Sequence, residues 1–203
     1  MKSVEDIKVK TERRDAAENR KRILEAAQKL FEQYGAEKVS MNQIAIEAQV
    51  GPGTLYRRYK NKSELCLDLK KDNIIQFFEE VEKYLVQHHA DPPDQRLKEV
   101  LRLFICFGEK NHQLLTEIEG GAMGSRSNAI TQTPLYSKMH KIVVKLLSEM
   151  TASEQNEPNN IFRADMLVYA LLKGDSYLFQ KDVRGYSPES FLEQLCLTYF
   201  PGR

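Results

Sequence analysis

Between Gly51 and Tyr59 the chain reads Gly-Pro-Gly-Thr-Leu-Tyr-Arg-Arg-Tyr, setting four polar or cationic side chains just behind two glycines. Thr54, Tyr56, Arg57 and Arg58 are donors of the kind that meet phosphate oxygens and base edges. Small residues such as Gly53 at the start of the run let a backbone come close to a polyanion. Other chemistries find no comparable arrangement. His88, His89, His112 and His140 form no pair at the i, i+4 spacing of a helical metal site. Gly120–Ser125 is glycine-rich but lacks the lysine and flanking strand of a phosphate-binding loop. No nucleophile has an evident base beside it. Neither an enzyme, a cofactor nor a bound metal is expected.

The run needs helices to present it. Ile23, Ala26, Ala27, Leu30, Phe31 and Tyr34 make one apolar helical face, which Gly35 ends. Ser40 and Gln43, three apart, form a capping box for a second helix, with Ile44, Ala45 and Ala48 as its buried side. That helix is short and ends near Gln49. Pro52 suits the first turn of a third helix reaching about Arg58. Asn61 caps a fourth, with Glu64 at the reciprocal position. Two short helices behind a longer one, separated by a tight glycine turn, read as a helix-turn-helix. That geometry also occurs in proteins that bind no nucleic acid.

Beyond it the helical period persists and no segment alternates as a strand. Ile74, Phe77, Phe78, Val81, Tyr84 and Leu85 continue the fourth helix to the break at Asp91-Pro92-Pro93. Leu97, Val100, Leu101, Phe104 and Ile105 mark the next, which is expected to fade at Gly108. The stretch from Glu119 to Ser125 reads as irregular, and a long helix follows from Leu135. Residues 151–160 read as a polar loop. From Ile161 to Phe179 apolar residues fall on nearly every side of a helix, and Phe191, Leu192, Leu195, Cys196, Tyr199 and Phe200 give the last helix a large apolar face. Such a surplus fits either a subunit interface or a wholly intrachain core.

Composition narrows the class. The 203 residues are 41% hydrophobic and 29% charged, an ordinary globular balance. No apolar run approaches the ~18 residues of a membrane span, and the polar first fourteen residues resemble no signal peptide, so a cytoplasmic protein is expected. Cys66, Cys106 and Cys196 stand far apart among apolar residues and read as small hydrophobes, with redox sensing as the alternative. The formal net charge of +1 hides an asymmetry: residues 1–62 hold fourteen Lys or Arg against nine Asp or Glu, and the remainder holds sixteen against twenty. One end is thus suited to meet a polyanion. Three parts are expected: a flexible basic arm (1–18), a helix-turn-helix domain (19–64) and a helical domain for effector binding and dimerisation (65–203).

The segment from about Arg20 to Leu69 resembles the DNA-binding domain of the TetR family of bacterial regulators. The matching residues are Ile23-Leu24-Glu25-Ala26-Ala27, Leu30-Phe31, Tyr34-Gly35, Ile44-Ala45, Val50-Gly51 and, most specifically, the block from Gly53 to Leu65. The resemblance implies an all-α protein with an N-terminal three-helix DNA-binding domain and a larger C-terminal helical domain. It implies phosphate or base contacts for Thr54, Tyr56 and Arg58, with Arg57 on the same helix suited to guanine. Lys62 matches a lysine that grips a phosphate at the start of helix four, where the helix N-terminus adds its own attraction for anions. Ser40, Met41 and Asn42 match the start of helix two, which contacts the DNA backbone. Leu55 and Tyr59 read as core. Gly51 and Pro52 depart from the pattern, since a Ser or Thr often stands at the first and Pro52 lacks an N–H. Arg13, Arg14, Arg20 and Lys21 either compensate by reaching DNA or form a solvated arm.

The family implies a homodimer, here through the last two helices, on palindromic double-stranded DNA. Two recognition helices then occupy successive major grooves about 34 Å apart. It also implies a small-molecule effector in the C-terminal domain that releases DNA. Phe104, Phe107, Met123, Phe162, Met166, Tyr169 and Tyr177 are the large soft residues suited to a cavity, or equally to a core. His112, Glu117, Glu119 and Asp165 could orient a polar ligand or lie on solvated faces. A DNA-bound adaptor with a protein partner in place of the effector is the rival reading.

Overall fold

Helix α1 occupies Val4–Tyr34 in the computed structural model of this chain, which describes residues 4–121, 133–150, 159–172 and 175–200, with side chains for 14–111, 133–150, 159–172 and 177–200. Then follow α2 (Met41–Glu47), α3 (Pro52–Arg58), α4 (Lys62–Gln87), α5 (Pro93–Gly121), α6 (Pro134–Met150), α7 (Asn160–Leu172), α8 (Asp175–Arg184) and α9 (Pro188–Tyr199). A 3-10 turn, Ala36–Lys38, links α1 to α2. The described residues contain no strand, so the all-α expectation holds.

Several helix limits differ from those expected. Residues 4–18, expected as a frayed arm, belong to α1. The stretch shows no apolar period, but it holds neither Gly nor Pro, and it sets Lys8 before Glu12 and Arg14 before Glu18 at i, i+4. A helix needs no apolar stripe where its residues favour the helical backbone. Likewise α5 runs past Gly108 to Gly121 instead of fading. An exposed mid-helix glycine costs only about 1 kcal/mol, too little to end a helix with good formers on both sides. Glu119, Gly120 and Gly121 are therefore helical, while residues 122–125 lie outside the described residues. Of the expected 151–160 loop, residues 151–158 also lie outside them. The Asn159 side chain accepts from the Ile161 N–H at 2.8 Å and starts α7. The single helix expected over Ile161–Phe179 is two, α7 and α8. The first ends at Leu172 and the second begins at Asp175.

By their internal packing the residues divide into two units, Met1–Asn73 with Asn111–Met123, and Ile74–Lys110 with Gly124–Arg203. The first buries Ile23, Ala27, Phe31, Ile44, Leu55, Leu65, Cys66 and Leu69 from α1 to α4. Beside this core the Asn73 amide donates to Asn111 at 2.9 Å and to Gln28 at 3.3 Å. The second buries Phe77 and Val81 with Leu97, Leu101 and Phe104, and with Met139, Leu147, Leu167 and Phe191. Cys66 is fully buried in the first unit, and Cys106 and Cys196 are half-buried. Burial pushes the Cys196 thiol up, away from the thiolate that redox chemistry needs.

Candidate nucleic-acid interface

The helix-turn-helix is built from short-range signals that the sequence states openly. At α2 the Ser40 hydroxyl accepts from the Gln43 N–H at 3.3 Å, and the Gln43 side chain accepts from the Ser40 N–H at 2.8 Å. Both halves of the capping box are thus made, which starts a helix of only seven residues cleanly. Gly35 has φ +84°, where a side chain is strained, and its N–H caps α1 through the Phe31 carbonyl at 2.9 Å. At α4 the Asn61 side chain accepts from the Glu64 N–H at 2.9 Å, but Glu64 reaches one residue further back than expected, to the Lys60 N–H at 2.9 Å.

The turn between α2 and α3 works differently from its sequence signature. Its left-handed residue is Gln49, at φ +53°, whereas Gly51 is ordinary extended backbone. The Gln49 N–H donates to the Ile46 carbonyl at 3.0 Å and the Val50 N–H to the Ala45 carbonyl at 3.0 Å. These two bonds are the Schellman pattern, with Gln49 where glycine usually stands. Arg22 on α1 locks the turn by donating from Nη2 to the Gln49 carbonyl at 3.0 Å. Gly51 caps α3 without a side-chain bond, and Pro52 stands in its first turn.

Helix α3 then divides its residues by face. Leu55 is fully buried and Tyr59, its C-cap, is nearly so. Gly53, Tyr56, Arg57 and Arg58 are exposed, Thr54 is half-buried, and open space surrounds the Gly53 Cα where a Cβ would stand. Arg58 leans back toward α1: its guanidinium donates over a long 3.4 Å to both the Ala16 carbonyl and the Tyr59 hydroxyl. Ser40 and Asn42 are exposed at the start of α2. Met41, expected beside them as a backbone contact, is instead core, because N1 of this helix turns its side chain inward with Ile44 and Ala45. The Lys62 ammonium donates to the carbonyls of Ala36 at 2.7 Å and Val39 at 3.3 Å, holding the 3-10 turn.

The arginines weighed as a DNA-seeking arm also separate. Arg20 is committed to carboxylates: Nε and Nη2 grip the two oxygens of Asp68 at 2.9 and 3.0 Å, and Nη1 holds Asp72 at 2.9 Å. Arg14 and Lys21 are exposed, and Arg13 lies outside the described side chains. The Arg20 guanidinium holds the Asp68 carboxyl below its usual range, and Asp68 in turn raises Arg20. Tyr59 donates its hydroxyl to Asp68 at 2.7 Å. Burial, reinforced by that carboxylate, pushes the phenol up to about 12. Sequence reasoning missed Asp68 and Arg22. Their partners lie 48 and 27 residues away, beyond any local pattern.

The cavity candidates fall into two sets. Phe104 is buried and Phe107 packs against the same core, with the Phe77 ring 5.6 and 4.9 Å from them. Tyr177 is buried and donates its hydroxyl to Glu109 at 2.8 Å, which also takes Lys181 at 2.8 Å. Burial pushes Glu109 up, but these two donors outweigh it and hold the carboxyl below its usual range. Phe162, at 62% exposure, with Met166 and Tyr169, is not in a cavity; all three stand on the open face of α7, opposite Ala164, Leu167 and Val168. His112, Met123, Glu117 and Glu119 lie outside the described side chains. Asp165 is bound by the Tyr136 hydroxyl and lies 3.0 Å from the His140 ring. No cluster of metal-binding side chains occurs among the described residues.

The model for bacterial regulatory proteins of the tetR family matches residues 23–69, which take in the end of α1, all of α2 and α3, and the start of α4. An HTH-type transcriptional regulator of Staphylococcus aureus, from a bovine strain, is 32% identical over 187 residues, covering 92% of this chain and 95% of that protein. Two solved structures are similar in fold. A TetR/AcrR-family regulator from Thermobifida fusca has a TM-score of 0.62 at 17% identity, covering 91% of this chain and 98% of that one. A structure described as the molecular basis for control of antibiotic production by a bacterial hormone has a TM-score of 0.64 at 16% identity, covering 90% and 96%. The full-length relative and the helix-turn-helix geometry agree: this chain belongs to the TetR family and is a DNA-binding transcriptional regulator.

Proposed function

We propose that the chain is a homodimeric repressor that reads a palindromic operator with α3 and leaves it when a small molecule binds the second unit. The observation that carries this reading is the outward row Thr54, Tyr56 and Arg57, backed by buried Leu55 and Tyr59. A two-turn helix with one face fixed in a core offers its other face to a groove. In this reading Tyr56 and Arg57 reach bases or phosphates, Gly53 allows close approach, and Ser40 and Asn42 meet the backbone. Arg58 and Lys62 add positive charge, each tied to carbonyls of its own unit.

Dimerisation is supported by the exposed apolar residues of the second unit. Phe162, Met166 and Tyr169 line one face of α7, Ile161 is exposed in its first turn, and Phe179, Val183 and Leu197 add to α8 and α9. A soluble chain seldom leaves such a set uncovered. Effector response is supported by the neighbour whose description names a bacterial hormone. Phe104, Phe107 and Tyr177 are the candidates for its site, with Glu109 as the polar group.

The test starts with selection of bound fragments from genomic DNA by the purified protein. Anisotropy titrations then compare the recovered site with scrambled DNA at two salt concentrations. Nanomolar, sequence-dependent binding that Tyr56→Ala and Arg57→Ala each weaken about 10- to 100-fold is expected. Equal binding to both DNAs would defeat the reading, and enrichment of scattered unrelated sites would favour a DNA-bound adaptor.

A further inference from the structure

The recognition helix has few restraints of its own. It is seven residues long, its N-cap Gly51 supplies no side-chain bond, and Pro52 donates none. Leu55 holds its middle by apolar packing, which is non-directional. What fixes its C-terminal end is Tyr59, whose ring is buried and whose hydroxyl donates to Asp68 Oδ2 at 2.7 Å. That same oxygen accepts from Arg20 Nε at 2.9 Å, and Oδ1 accepts from Arg20 Nη2 at 3.0 Å. Arg20 is pinned a third time, to Asp72. Helix α1, the end of α3 and the first part of α4 therefore meet in one charge-assisted network. Such bonds are short, directional and about twice as strong as neutral ones.

We propose that Asp68, oriented by Arg20, is a positioning residue for DNA recognition, setting through the Tyr59 hydroxyl the angle at which α3 presents Tyr56 and Arg57. The inference rests on the DNA-binding reading given above. None of the network residues need touch DNA, and Asp68, an anion, would be repelled by it. Small misplacements of a reading helix cost base contacts first. Phosphate contacts tolerate them better, because they lack the fixed donor and acceptor pattern of a base edge.

The sign of one substitution separates positioning from simple electrostatics. Asp68→Asn removes a negative charge from a DNA-binding unit. If Asp68 acts only through its field, the variant binds operator and scrambled DNA more tightly. If it positions α3, operator affinity falls about tenfold, while scrambled DNA is bound at least as well as before. Tyr59→Phe keeps the buried ring and deletes only the hydroxyl, so it carries the test if Asp68→Asn folds poorly. It is expected to lower operator affinity roughly three- to tenfold, with an unchanged slope of log K against log salt. Arg57→Ala serves as the contact control and, if Arg57 meets a phosphate, lowers that slope by about one. Thermal melts confirm that each variant is folded at the assay temperature. Operator preference equal to wild type in a folded Tyr59→Phe overturns the inference and leaves the regulator reading intact. A wild-type chain that recovers no preferred site overturns both.

Discussion

The two units solve different problems with different materials. In the first, a core rich in alanine and medium aliphatic residues is cross-linked by directional polar bonds: Arg20 to Asp68, Arg22 to Gln49, Lys29 to Glu47 and Lys62 to the carbonyls of Ala36 and Val39. In the second, large apolar side chains dominate, with the Phe77, Phe104 and Phe107 rings in mutual contact and an apolar face left open on α7. Directional bonds fix the angle of a short helix, as DNA reading demands. Apolar packing supplies stability and interfaces while leaving the shape open to adjustment.

The comparison can be broken most forcefully through the cores. Leu55→Ala and Leu147→Ala each remove a fully buried leucine and are expected to cost about 2–5 kcal/mol in denaturant unfolding. Leu55→Ala should also abolish operator binding, since it undermines the recognition helix directly. An equal loss of DNA binding in a folded Leu147→Ala protein would show that the two units do not divide the labour in this way.

Next come the exposed faces. Tyr56→Ala or Arg57→Ala should lower operator affinity about 10- to 100-fold with stability within about 0.5 kcal/mol of wild type. Phe162→Asp should shift the protein toward monomer in light-scattering chromatography, because a carboxylate cannot be covered by an apolar partner without a large desolvation cost. A dimer unchanged in mass at micromolar concentration removes α7 from the interface.

The polar network predicts a pH dependence. The Asp68 carboxyl is lowered in the folded chain, so its contribution is fully present above the unfolded carboxylate value of about 3.9. It is lost as pH falls through the lower folded value. Melting temperature measured from pH 6 to 2 should fall less steeply in Asp68→Asn than in wild type. An unchanged acid limb would show that the ion pair with Arg20 adds nothing net. The smallest effect is expected at Gln49, which sits at positive φ without glycine's freedom. Gln49→Gly should stabilise by about 1 kcal/mol or less, because the relieved strain is partly offset by the entropy of the unfolded chain.

What could be read from the residues follows the range of the forces involved. The capping box at Ser40 and Gln43, the stop at Gly35 and the inward Leu55 and Tyr59 are local, and each is visible in a window of a few residues. The place of the turn is legible but its left-handed residue is not, since nothing in the sequence distinguishes Gln49 while the neighbouring Gly51 invites that role. The first half of α1 is not legible, because helix propensity without an apolar stripe looks like a solvated arm. Met41 shows the limit of carrying a role by position alone: one step of a helix, about 100°, separates a contact from the core. Phe162, Met166 and Tyr169 share composition with cavity residues, and only the packing of α7 reveals which way they face.

Cys66 offers a practical consequence of the first unit's tight core. Its sulfur is fully enclosed there, whereas Cys106 and Cys196 are half-buried in the second unit. A thiol reagent should therefore modify the two half-buried cysteines early and reach Cys66 only when the DNA-binding core opens. In a chain carrying Cys106→Ser and Cys196→Ser, the labelling rate of Cys66 becomes a clock for that opening, read without any added dye. Slowing of the clock by operator DNA would measure in free energy how far the bound duplex suppresses the breathing of the unit that reads it.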